Sequence, residues 1–129
     1  MAEKRAIRTE RAPAPFQGAP YSQGIAFGDL VFVSGQVAID PETNEPIGGG
    51  IEAQTERTLE NVKAILEEAG SSLDKVLKAS IFLADFADFA AMNEVYAGYM
   101  GGTPPARATV QVAGLPSGVR IEIEVVAHR

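Results

Sequence analysis

The hydrophobic positions along the chain change period several times, and each change marks an element. From Ile51 to Ala69 the apolar residues Leu59, Val62, Ile65, Leu66 and Ala69 recur three and four apart. That spacing predicts an amphipathic helix, and Gly70 stands where a left-handed C-terminal cap belongs. Upstream, IAFGDLVFVSGQV holds two β-prone stretches around Gly28-Asp29, a hairpin signal, so Ser22–Phe27 is expected to pair with Leu30–Val37. Leu30, Val31, Phe32 and Val33 are apolar without alternation, the pattern of a strand covered on both faces. In a chain of 129 residues, the second cover points to another subunit.

Downstream, Val76–Ala84 reads as a strand, Asp85 as an N-cap, and Phe86–Met100 as a second helix that GGTPP ends. The last two strands, Arg107–Val112 and Val119–Ala127, flank AGLPSG, which reads as a hairpin loop. A short strand near Lys4–Thr9 completes an edge. The succession hairpin, helix, strand, helix, hairpin predicts an α+β layout, a single sheet with two helices packed on one face. The length fits one domain, residues 1–129.

Alternation also sorts the polar residues. In the final strand Ile121, Ile123 and Val125 point one way and Arg120, Glu122 and Glu124 the other; before it, Ala108, Val110 and Val112 oppose Arg107, Thr109 and Gln111. Folding the two strands about LPSG is expected to place Arg107 opposite the Glu122–Glu124 region, with the choice of glutamate open. On a solvated face this is an ion pair contributing well under ~1 kcal/mol, which is what the pattern alone favours. In a cleft, the same arginine binds a carboxylate in bidentate fashion while a glutamate positions water or moves a proton. The rigid Pro104-Pro105 step before Arg107 counts toward the cleft.

Asn93 lies on the helical stripe Phe86, Phe89, Asn93, Tyr96, Met100, and a buried amide needs partners; a tie to a nearby loop is the commoner outcome than ligand contact. Tyr21, in a Pro/Gly-rich loop, and Ser34, before Gly35, are ambiguous alone.

Composition narrows the chemistry. Hydrophobic residues make up 46% and charged residues 22%, and no apolar run approaches the roughly 18 residues that span a bilayer, so no membrane role is expected. Met1 to Arg11 has neither a secretory nor a transit pattern, which makes a cytoplasmic location the expectation. Cysteine is absent and His128 is the sole histidine, at the penultimate position, where it is assigned no role. A usual zinc site and a serine triad at Ser34 are thereby disfavoured. Gly48 to Gly50 lacks the rest of a phosphate loop, so the expected inventory is arginine, carboxylate, hydroxyl and backbone, with no metal and no cofactor. A formal charge of −6 disfavours nucleic acid as a partner.

Five stretches, APYSQG (19–24), VFVSGQV (31–37), TLENVKAILEEAGSSLDKVLKASIFLAD (58–85), FAAMNEVY (89–96) and PPARATVQVAGLPSGVRIEIEVVA (104–127), resemble the reactive intermediate deaminase family, RidA/YjgF. The resemblance runs from about Ala12 to the C-terminus. It implies a chorismate-mutase-like α+β fold assembling as a homotrimer, with sites in clefts between subunits. It implies a 2-iminobutanoate/2-iminopropanoate deaminase that hydrolyses enamines and imines such as 2-aminoacrylate to 2-oxo acids and ammonia. By position, Arg107 would hold the substrate carboxylate and Glu122 would orient water or shuttle the proton. Tyr21 from a neighbouring subunit would close the pocket, and Ser34, Gly35 and Asn93 would line it, with the Gly35 and Thr109 main chains supplying hydrogen bonds. Many members carry cysteine where Thr109 stands, which removes any thiol-dependent regulation here. The competing expectations are RNA cleavage that inhibits translation, which the acidic balance opposes, and a non-catalytic carboxylate-binding or chaperone-like role. Chorismate mutase activity is disfavoured because one cleft arginine is a thin supply for two carboxylates.

Overall fold

The periodicities resolve, over residues 2–129 described by a computed structural model, into a sheet, a small ribbon and two helices. The strands are β1 (Arg5–Ile7), β2 (Gly24–Phe27), β3 (Leu30–Val37), β4 (Ile39–Asp40), β5 (Glu45–Pro46), β6 (Val76–Leu83), β7 (Ala106–Gln111) and β8 (Ile121–His128). The helices are α1 (Ile51–Glu68) and α2 (Phe89–Tyr99). The six-stranded sheet runs β1-β2-β3-β8-β6-β7, with β4 and β5 pairing apart from it.

Helix α1 buries Leu59, Val62, Ile65 and Leu66 against Val31, Val33, Ile81, Ile121, Ile123 and Val125, while α2 contributes Met92 and Tyr96 to the same core. Gly70, at φ 81°, ends α1 with its N–H on the Glu67 carbonyl, as expected of a left-handed cap. The second helix starts later than the apolar stripe suggests. Phe86–Asp88 forms a tight 3-10 turn, in which Asp85 accepts from the Ala87 N–H, and α-helix begins at Phe89.

The C-terminal hairpin does not form. β7 pairs with β6 in parallel, Ala79 opposite Arg107 and Ile81 opposite Thr109, and β8 lies between β3 and β6. The cause is the helix: α2 is the crossover between β6 and β7, and a helical crossover delivers the next strand parallel to the first. The segment from Val112 to Arg120 is also longer than hairpin loops usually are, so it carries the chain across β6 to the sheet centre.

The faces differ from expectation at β7. Arg107 shares a row with Ala79 and Val125, on the side covered by helices, whereas Val110 shares a row with Phe82 and Glu122 on the open side. Arg107 and Glu122 therefore project from opposite faces of one sheet. Only one face of the Leu30–Val33 run is covered within the chain: Val31 and Val33 are buried, but Leu30 and Phe32 are 38% and 43% exposed.

Candidate active site

The residues singled out by sequence, Thr109 apart, fall into two clefts. The larger, about 690 Å³, is lined by Tyr21, Ser34, Gly35, Pro116, Glu122 and Glu124 among others. The smaller, about 520 Å³, is bounded by Asn93, Tyr96, Ala97, Met100, Pro104 and Arg107. Within one chain the structure brings Glu122 together with Tyr21, Ser34 and Gly35, and Arg107 together with Asn93.

An irregularity in β3 shapes the larger cleft. Val33 pairs with Val125 and Gln36 with Ile123, so Ser34 and Gly35 together oppose Glu124 alone. Such a bulge bends the strand and re-aims the residues on it. Ser34 is tied down there, its hydroxyl donating to the Ser22 carbonyl at 2.6 Å and its N–H to Gln23 O at 2.9 Å. The buried Gln23 side chain in turn donates to the carbonyls of Thr9, Ala12 and Pro13, fixing the loop that ends in Tyr21. The Tyr21 ring is 42% exposed and its hydroxyl accepts from the Phe16 N–H at 2.6 Å.

Gly35 is required by Glu122. A Cβ on Gly35 would lie 2.9 Å from Glu122 Cδ, so the carboxylate rests directly on glycine backbone. Burial pushes the Glu122 carboxyl above its ordinary pKa, and the like charge of Glu124 pushes it the same way. A carboxyl so shifted takes up and releases a proton more readily near neutral pH.

In the smaller cleft the Arg107 guanidinium donates from Nη1 to Asn93 Oδ1 at 2.8 Å. It lies 4.9 Å from the Tyr96 ring centroid and 5.6 Å from that of Phe89, within cation–π range of both. Ion pairs among the described residues are Arg11 with Glu67 and Arg120 with Asp88, so Arg107 has no carboxylate partner. A guanidinium fixed in this way, with N–H groups to spare, suits a planar carboxylate. Asn93 thus has a partner other than the loop backbone expected from sequence. Thr109, one step along β7 on the same face, keeps a buried Oγ1 with no hydrogen-bond partner. Sequence reasoning missed the aromatic walls as parts of the site; their helical spacing from Asn93 was the available signal.

Residues 9–129 match the family described as Endoribonuclease L-PSP. The chain is 52% identical over 126 residues to a RutC family protein of Pyrococcus abyssi, covering 98% of each. It is 40% identical over 124 residues to the 2-iminobutanoate/2-iminopropanoate deaminase of Mus musculus, covering 96% of this chain and 90% of that one. The crystal structure of RidA from an Antarctic Psychrobacter superimposes with a TM-score of 0.92 at 45% identity, over 97% of this chain and 99% of that one.

Proposed function

The chain belongs to the Endoribonuclease L-PSP family, which includes the reactive intermediate deaminases, and from this premise we propose that it is an imine/enamine deaminase acting on 2-imino acids such as 2-iminobutanoate and 2-iminopropanoate. The observation that carries the reading is Arg107, a fixed guanidinium with no carboxylate partner among the described residues. The identity of the mouse relative, named for this activity, supports it.

In the proposed site Arg107 clamps the α-carboxylate and so orients the imine carbon. Glu122, its pKa raised by burial, accepts a proton from water as the oxygen bonds to that carbon. The proton passes to nitrogen and gives a carbinolamine; its hydroxyl then gives up its proton, which Glu122 relays to the amino group, and the C–N bond breaks as the C=O bond forms, so that a 2-oxo acid and ammonia leave. Because Arg107 and Glu122 occupy separate clefts of one chain, a complete site takes Arg107, Asn93 and Thr109 from one protomer and Glu122, Tyr21, Ser34 and Gly35 from another. A homotrimer, the assembly implied by the family resemblance, supplies that arrangement. Its cover would be the open sheet face, where Phe27, Leu30, Phe32, Leu77 and Val110 are each 38–48% exposed.

RNA is a poor fit despite the family's description. The larger cleft is lined by Glu45, Glu122 and Glu124 and by no described lysine or arginine, which repels a polyanion. No helix among the described residues is long and apolar enough to cross a membrane, and we place the activity in the cytoplasm. The test is 2-oxo acid release from 2-aminoacrylate or 2-aminocrotonate generated in situ by a dehydratase. Acceleration by the wild-type chain that is lost in correctly assembled Arg107→Ala supports the reading; hydrolysis no faster than the spontaneous rate overturns it.

A further inference from the structure

Tyr96 sits three residues after Asn93 on α2 and is only 6% exposed, yet its hydroxyl proton has no acceptor among the described residues, since the neighbouring Arg107 guanidinium can only donate to the phenol oxygen. Buried phenols ordinarily find one, because an unpaired buried hydroxyl gives up its water and receives nothing in return. This orphan is not lost in the apolar core. It belongs to the ring that carries the Arg107 guanidinium, and both side chains line the 520 Å³ cleft. Asn93 takes one hydrogen bond from Nη1, which leaves other guanidinium donors for a ligand. A carboxylate that engages two of them still has lone pairs to offer.

We propose that the Tyr96 hydroxyl donates a further hydrogen bond to the carboxylate held by Arg107, which makes Tyr96 a substrate-binding residue that selects planar α-carboxylates. The proposal rests on the deaminase reading, since it takes Arg107 as the carboxylate clamp. Burial raises the Tyr96 pKa, and the charge and hydrogen bond of Arg107 only partly oppose this, which favours the neutral phenol that can donate. The ring below the guanidinium and the hydroxyl beside it have separable roles. Tyr96→Phe removes the second and keeps the first.

Wild type, Tyr96→Phe and Arg107→Ala are compared by calorimetric titration with 2-oxobutanoate, by KM and kcat in the dehydratase-coupled reaction, and by Tm. In Tyr96→Phe, Kd and KM are expected to rise about tenfold, equivalent to about 1.4 kcal/mol, with a smaller change in kcat. Its Tm is expected to stay close to wild type, because the variant deletes a buried hydroxyl whose proton has no acceptor in the fold. A Tyr96→Phe protein that binds 2-oxobutanoate as wild type does, while Arg107→Ala loses binding, overturns the role of the hydroxyl and leaves the clamp standing. A lowered Tm with unchanged Kd does the same, by assigning the hydroxyl to the fold. If Arg107→Ala also binds and turns over as wild type does, the clamp and the proposal fall together, whereas the deaminase reading falls only if the wild-type chain itself does not outpace spontaneous hydrolysis.

Discussion

Glu122 owes its position to a residue with no side chain. Gly35→Ala places a methyl group against the Glu122 carboxylate, which must then swing away. A misplacement of about 1 Å can cost on the order of 100-fold in rate, so kcat is expected to fall by about that factor while KM moves less. The pKa of Glu122 gives a second outcome. Its folded-state value is raised, so the protonated form is favoured by folding: stability is fully present below the unfolded pKa, about 4.3, and is lost as pH rises through the folded value. In an Arg107→Ala background, where no partner guanidinium offsets the charge, adding Glu122→Gln should raise Tm at pH 7 and leave it unchanged below about pH 4. Thermal unfolding across that range checks the sign. The identities of these residues were legible in sequence, since Arg107, Glu122, Gly35 and Asn93 were all singled out there. Their contacts were not: nothing in a linear pattern says that Asn93 meets Arg107, because that contact joins a helix face to an edge strand.

At the scale of elements, periodicity served where burial is one-sided. The stripe of α1 and the alternation of β8 each face one core, and both matched. It misled at β7, whose polar row lies under α2 while its apolar row faces outward, an arrangement that the proposed trimer would explain by laying a second subunit against that edge strand. The bulge in β3 left no clear signal either. The end of β3 beyond the bulge is held by Asn61, fully buried on α1, which donates to the Val37 and Ile39 carbonyls at 3.1 and 3.0 Å and accepts from Arg57. Asn61→Ala leaves the buried Ile39 carbonyl and the half-buried Val37 carbonyl without that donor and should destabilise the fold by about 2 kcal/mol in urea unfolding. The same variant loosens the strand end that carries Ser34 and Gly35, so activity is expected to drop before the fold is lost.

For the whole molecule, the proposed function turns on Arg107 and Glu122, the proposed carboxylate clamp and acid/base group, lying on opposite faces of one sheet. On that reading a lone chain holds two half-sites, and the proposed trimer joins unlike halves of neighbouring protomers. Arg107→Ala and Glu122→Ala should each be inactive, because every site then lacks one half. Co-refolded in equal amounts, the two variants distribute at random around the ring. A joint is competent only where an intact Arg107 meets an intact Glu122, which for independent choices occurs at about one joint in four. About a quarter of the wild-type rate per site should therefore return on mixing. No recovery in mixed assemblies, verified by mass after differential tagging, would mean that both groups act within one chain or that one of them does not act at all. Phe32→Glu, buried by the proposed interface but exposed in the single chain, should instead yield monomers that keep both clefts and have no activity, which light scattering and the coupled assay can establish together.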